Sequence, residues 1–201
     1  MSKAELKRQF ILEQTEALLV REGGAGLSMR KVADACGISL GNLQYHYATR
    51  EALLEALLAS FIASYGALVQ DRPFQPSGDL RRDLSELVSS GLELLDETQA
   101  SRVFKELWAA AQQSGSLARE MTRYYRELAG FYAQTLRSLD PAADGDRINR
   151  AVSVLMPLFE GFCVTRSALP QDRNELAQIW ATAIHATLID ADQAPHLREA
   201  T

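Results

Sequence analysis

Residues 28–58 constrain the fold more than any other stretch of this chain. Ser28, followed by Met29-Arg30-Lys31-Val32-Ala33-Asp34-Ala35, predicts a helix of two turns with the serine as N-cap, because a serine oxygen can accept from the unpaired N–H groups of a first turn. Cys36-Gly37-Ile38 predicts a tight turn, the glycine being free to take a positive φ. Ser39 then caps a second short helix, Leu40 to Tyr47, and Thr49 caps a third that begins at Arg50. Two short helices joined by a glycine turn form a helix-turn-helix, whose second helix fits the DNA major groove. Val32, Ala33, Ile38 and Leu43 are spaced to pack the two helices together, and Leu43 and Tyr47, four apart, share one face. That leaves Leu40, Gly41, Gln44 and Tyr45 on the outer side.

The remainder reads as helix throughout. Over residues 4–22, Ile11, Leu12, Thr15, Leu18 and Leu19 fall on one face, and Gly23-Gly24-Ala25-Gly26 ends the segment, which covers the helix-turn-helix. From Arg50 a stripe of Leu53, Leu54, Leu57, Leu58, Phe61, Ile62, Tyr65, Leu68 and Val69 extends the third short helix to about Val69, where Pro73, Pro76, Ser77 and Gly78 stop it. Helical patterns follow over Asp79 to Leu95, Gln99 to Gln113, Ser116 to Leu139, Asp146 to Leu169 and Asn174 to Ile189, the last two split by Pro170. The final dozen residues read as frayed. With no alternating strand pattern, the expectation is an all-α chain. It has an N-terminal three-helix head over residues 1–48 and a larger helical body of about six helices over residues 49–201.

The net charge of −5 argues against a nucleic-acid partner only until it is divided along the chain. Residues 1–50 hold seven Lys/Arg and five Asp/Glu, net +2, and residues 51–201 hold fourteen and twenty-one, net −7. A basic head on an acidic body suits a protein that docks one end on phosphate. Catalysis is poorly served: His46, His185 and His196 sit in separate segments without metal-ligand spacing, and no GxSxG, P-loop or GxGxxG occurs. The chain is therefore expected not to be an enzyme and to need no metal or cofactor. Cys36 and Cys163 read as small buried residues in a reducing cytoplasm rather than as a disulfide. No apolar run reaches the length of a membrane span, and MSKAELKRQF is too polar for a signal peptide.

The run GISLGNLQYHYATREALL resembles the DNA-binding signature of TetR-type regulators, G-[IV]-S-x-G-x-L-x-x-[HY]-[FY]-x-[ST]-[KR]-E-x-L. Gly37, Ser39, Gly41, Leu43, Tyr47, Thr49, Arg50, Glu51 and Leu53 all match, and the resemblance covers residues 5 to 58. Gln44 departs from the pattern, standing where that family usually has an aromatic. The resemblance implies a ligand-responsive transcriptional regulator of the repressor kind, a homodimer on a palindromic double-stranded DNA operator, released by a small-molecule effector; the alternative is a helical scaffold or dimerisation protein whose motif no longer binds DNA. Family pattern and helix geometry put Tyr45, His46 and Arg50 on phosphates, with the hydroxyls of Ser28 and Thr49 near by. Leu40, Gly41 and Gln44 would face base edges, and Arg30, Ser39 and Asn42 complete the DNA-facing set. An amide at Gln44 can pair bidentately with adenine.

Two features of the body bear on effector and assembly. Val152 to Val164 is apolar nearly all round, so its helix should be buried on more than one side; Pro157 should kink it, and Gly161 should allow close helix approach. Glu160 places a carboxylate in that run, to be met either by Arg123 or Arg166 or by a ligand. Trp108, Tyr124, Tyr125, Phe131 and Tyr132 form an aromatic-rich set. An effector lodged among Phe61, Tyr65, Trp108, Tyr125, Phe159 and Glu160 could displace the long helix from Arg50, the one element reaching both DNA and body. By resemblance the last two long helices pair with their mates as a four-helix bundle, through Leu155, Leu158, Phe162, Ile179, Trp180, Ala183, Ile184 and Thr187.

Overall fold

The computed structural model describes residues 2–70, 75–96, 100–166 and 172–189; side chains of residues 65–70, 96 and 100 are outside that description. Among the described residues the chain is all helix, with no strand. The helices are α1 (Lys3–Gly26), α2 (Met29–Ala35), α3 (Leu40–His46), α4 (Arg50–Gln70), α5 (Leu80–Asp96), α6 (Ala100–Ala111), α7 (Gly115–Leu139), α8 (Gly145–Thr165) and α9 (Arg173–Leu188). The expectation of an all-α chain with a helix-turn-helix near its start holds. Tyr65, Leu68 and Val69 have side chains outside the description, and Pro73, Pro170 and His196 lie outside it altogether.

The helices group into two units. The first gathers α1 to α4, α6 and α7 as far as Tyr125; the second gathers α5, α7 from Arg126, α8 and α9. In the first unit α1 starts on a reciprocal cap. Ser2 Oγ accepts from Glu5 N–H at 3.2 Å, while Glu5 Oε2 accepts from Ser2 N–H at 2.6 Å. Its buried stripe is Ile11, Leu12, Thr15, Leu18 and Leu19. Thr15 hides its hydroxyl by donating it to Ile11 O at 2.7 Å. Gly23, at φ +70°, breaks the helix and turns the chain toward α2. Leu53, Leu54, Leu57 and Leu58 of α4 are buried, so the long helix grows out of the head as one piece.

The second unit is built around Leu84, Leu92, Leu136, Ile148, Leu155 and Ile184, all without exposed surface. Each such side chain is stabilised by about 1.5–3 kcal/mol relative to exposure. Phe159 stacks on Tyr132 with centroids 5.9 Å apart and meets the edge of Trp180 at 5.5 Å. Asp83, almost fully buried, accepts from Ser77 N–H, Ser77 Oγ–H and Gly78 N–H, which closes the turn that precedes α5. Those hydrogen bonds, the Ser77 hydroxyl first, hold its carboxyl below the usual range. α8 runs unbroken through Pro157, whose ring is on the exposed side where a missing donor is least costly.

Candidate nucleic-acid interface

The geometry of the α2–α3 pair follows from its caps. Ser28 Oγ accepts from Lys31 N–H at 3.3 Å, Ser39 Oγ from Asn42 N–H at 3.2 Å, and Thr49 Oγ1 from Ala52 N–H at 3.1 Å. Between the helices, Ile38 N–H donates to Ala33 O at 3.0 Å and Gly37 N–H to Asp34 O at 3.1 Å. This six-to-one and five-to-two pattern is the Schellman C-cap, and it needs the left-handed backbone that Gly37 supplies at φ +62°. Val32, Ala33 and Leu43 are buried, Ile38 half-buried, and Tyr47 buried against α1. Cys36 is buried too, and burial pushes its thiol pKa up, which makes it an inert packing residue.

Two contacts that sequence reasoning missed tie this pair to α1. Arg8 lies over the Tyr47 ring at 5.2 Å and donates from Nη2 to His46 O at 3.0 Å, filling an unpaired carbonyl at the end of α3. Lys31 Nζ sits 2.6 Å from Glu22, and the bonds from Lys31 and then Arg21 hold the Glu22 carboxyl below its usual range. Neither Arg8 nor Glu22 shows a periodic signal; only the fold brings them to their partners.

What remains outside is polar and open. Gly41, Asn42 and Gln44 are exposed, Leu40 is half-buried, and Tyr45 is 85% exposed with the half-buried His46 edge-on to it at 5.3 Å. Ser28, Arg30, Ser39 and Thr49 are exposed around this face. Nothing lies within 4 Å of where a Cβ on Gly41 would stand. A glycine inside a helix costs about 0.5–1 kcal/mol relative to alanine, so the chain's own packing gives no reason for it. Arg50 is placed differently from the rest: its half-buried guanidinium donates from Nη2 to Gly24 O at 3.0 Å, so one of its five donors is spent inside the chain.

The residues expected around an effector fall into both units. Phe61 and Tyr125 each touch the ring of Phe104, at 5.4 and 6.2 Å between centroids, and Tyr124 completes that cluster in the first unit. Trp108, on α6, is half-exposed. Phe159 belongs to the core of the second unit, and Tyr65 lies outside the described side chains. Glu160 is half-buried and has a partner, so it is no stray charge. Of the two arginines considered for it, Arg123 pairs with Glu120 and Arg166 donates to Leu95 O at 2.8 Å.

The residues expected at a subunit interface need a correction. Leu155, Phe162, Trp180 and Ile184 are buried in the second unit's own core, where they hold α5, α8 and α9 together. They cannot also face another copy. Leu158 and Thr187 are half-buried, while Ile179, at 56%, and Ala183 are exposed. Beside them on α8, Pro157, Gly161 and Val164 are exposed, and Val154 is half-buried. A helix apolar on every side has one face for its own core and another for elsewhere, and periodicity alone does not say which is which.

Comparison with known proteins agrees with this geometry. Residues 11–57 match the family model described as "Bacterial regulatory proteins, tetR family", and residues 80–189 match "BetI-type transcriptional repressor, C-terminal". The chain is 32% identical over 181 residues to an uncharacterized HTH-type transcriptional regulator in the dhlA 5' region of Xanthobacter autotrophicus, covering 88% of this chain and 87% of that protein. A transcriptional regulator from Rhodococcus sp. Rha1 shares the fold at a TM-score of 0.73 and 18% identity, over 89% of this chain and 96% of that one. The multidrug binding protein EbrR, complexed with imidazole, aligns at a TM-score of 0.66 and 25% identity, over 89% and 94% of the respective chains.

Proposed function

This chain belongs to the TetR family and is a DNA-binding transcriptional regulator; from that premise we propose that it is a repressor, a homodimer that binds a palindromic operator and is released by a small molecule. The observation that carries the DNA-binding half of this reading is the outer face of α3. There Gly41, Gln44 and Tyr45 stand open beside the half-buried Leu40, while Val32, Ala33, Leu43 and Tyr47 are tied inward. Leu40, Gly41 and Gln44 read base edges, Gln44 by a bidentate pair to adenine worth about 1–3 kcal/mol of discrimination. Tyr45, His46, Arg30 and Asn42 lie against the backbone, with the capping hydroxyls of Ser28, Ser39 and Thr49 beside them. Arg50 joins them through the donors not used on Gly24. Phosphate contacts position the protein and base contacts specify the site.

In this reading residues 1–48 bind DNA and residues 49–201 carry effector binding and assembly, in the cytoplasm where the operator lies. The homodimer is supported by the outward stripe of Val154, Pro157, Leu158, Gly161 and Val164 on α8 with Ile179 and Ala183 on α9. Two copies would bury it about a twofold axis, giving an isologous interface. Gly161 has no atom within 4 Å of a Cβ position, which fits close helix approach there. Release by a small molecule is supported by the name of the structural relative, a multidrug binding protein. The aromatic cluster of Phe61, Phe104, Tyr124 and Tyr125 is the surface that an apolar ring would join, with Trp108, also of the first unit, as a further candidate.

The test is selection of bound duplexes from a random pool by the purified protein. The expected result is a palindrome whose half-sites lie about one helical turn apart, or a multiple of it. Gln44→Ala should then relax preference at one base pair in each half-site. An unchanged ranking of operator variants would remove Gln44 from the reading face, and failure to enrich any duplex would end the operator reading.

A further inference from the structure

One peptide unit in the first unit is held from both sides. Gly24 N–H donates to Glu106 Oε2 of α6 at 2.7 Å, and Gly24 O accepts from Arg50 Nη2, on the first residue of α4, at 3.0 Å. The approach is close: a Cβ on Gly24 would stand 2.9 Å from Glu106 Oε2, so the carboxylate would have to shift, and 4.0 Å from Arg50 Nη2. Gly23, in the left-handed region just before, turns the amide toward them. Only Ala25, Gly26 and the buried Leu27 separate this peptide from Ser28, the N-cap of α2. Glu106 and Arg50 also line a cavity of about 660 Å³ together with Leu54, Gln113, Ser114 and Leu117, so the clamp borders open space rather than packed core. Two residues before Glu106, α6 presents Phe104 to the aromatic cluster of Phe61, Tyr124 and Tyr125.

We propose that Glu106 is a positioning residue for DNA binding. It touches no nucleic acid. It fixes the Gly24 peptide, and with it the segment leading to Ser28, so that the α2–α3 pair meets the duplex in one orientation. The bond is charge-assisted and short, of the kind that holds geometry rather than merely permitting it. Arg50 completes the arrangement, bridging from the same peptide toward the backbone of the duplex. Because Phe104 and Glu106 share α6, a displacement of that helix at its aromatic face reaches the DNA-binding pair through this bond together with the packing of α6 on α1. The proposal rests on the reading of α3 as the recognition helix.

The sign of one measurement separates it from plain electrostatics. Removing an acid near DNA should raise affinity if charge alone acts, whereas losing the clamp should lower it. Affinity for a duplex selected by the wild-type protein is measured across a salt series for wild type, Glu106→Ala, Glu106→Gln and Gly24→Ala. Glu106→Ala is expected to bind roughly tenfold more weakly, the loss of one charge-assisted hydrogen bond, with an unchanged salt slope. Glu106→Gln, equally uncharged but still an acceptor, should recover most of that affinity. Gly24→Ala, which pushes the carboxylate away, should match Glu106→Ala and add nothing to it in the double variant. Unchanged or raised affinity in Glu106→Ala overturns the proposal, as does a Glu106→Gln variant no better than alanine. If Glu106→Ala does not fold, Gly24→Ala and Glu106→Gln decide it by the same signs. Failure of the wild type to bind any duplex would strike the operator reading itself, and is seen before the variants are compared.

Discussion

The α2–α3 pair of the first unit and the α8–α9 pair of the second use apolar residues in opposite ways. In the first, each apolar side chain has one destination. Val32, Leu43 and Tyr47 go inward, and the outer face is left to Gly41, Gln44 and Tyr45. In the second, apolar residues line both faces. Leu155, Phe162, Trp180 and Ile184 fill the core, while Val164 and Ile179 stay 65% and 56% exposed. An outer face of small and polar residues is recognisable by what it lacks. An outward apolar face looks like core until the fold shows which side is already occupied.

The sharpest way to break this contrast is to put the same charge on both faces of α9. Ile184→Glu buries an unpaired carboxylate where no surface is exposed, so it should cost on the order of 4 kcal/mol or more and abolish the folded state of the second unit. Ile179→Glu, five residues earlier and exposed, should leave the helical circular dichroism of the chain intact, at about 0.5 kcal/mol or less within one protomer. It should still convert a dimer to a monomer in sedimentation velocity. A folded Ile184→Glu protein would mean that the inner and outer faces have been assigned the wrong way round. An Ile179→Glu protein that still sediments as a dimer would place the interface elsewhere.

This contrast also explains what could be read without coordinates. The caps Ser28, Ser39 and Thr49 and the turn glycine Gly37 were legible because each is a local device: the hydroxyl or the missing Cβ acts within four residues of itself. The buried stripe of α1 was legible because Ile11, Leu12, Thr15, Leu18 and Leu19 recur at helical spacing. Leu155 is core rather than outer face, which the sequence could not tell because the all-round apolar stretch of α8 offers periodicity to two partners at once. Arg8 over Tyr47, and Glu106 on Gly24, could not be read at all. They join residues 39 and 82 positions apart, and nothing in the local pattern of either announces its partner.

Two glycines sharpen the comparison at a smaller scale. Gly91 of α5 is required for space: a Cβ there would fall 2.6 Å from Phe159 Cε1, and the ring cannot yield because Tyr132 and Trp180 hold it. Gly91→Ala should therefore destabilise the second unit by about 1–3 kcal/mol, partly offset by alanine's better helix propensity. Gly37 is required for conformation, since nothing lies within 4 Å of its Cβ position but its φ is +62°. Gly37→Ala should cost about 1–2 kcal/mol by forcing a side chain into the left-handed region. Denaturant midpoints report both, and only the Gly37 variant should also lose affinity for DNA. A stabilised Gly91→Ala protein would show that the Phe159 ring is not fixed.

The smallest difference expected between the regions is in their response to mild acid. In the second unit, burial lowers the pKa of His185 on α9, the Arg81 cation of α5 lowers it further, and Asp140 at the end of α7 partly opposes both. The folded chain thus refuses a proton that the unfolded chain accepts near pH 6.5. Stability from the neutral imidazole is fully present above that value. It falls as the pH drops below 6.5, and the loss is complete once the pH has passed below the lowered folded value. Thermal melts between pH 7.5 and 5.5 should therefore show a modest decline in wild type that His185→Gln reduces. Identical pH slopes in wild type and His185→Gln would show that this half-buried imidazole is not what makes the second unit sensitive to acid.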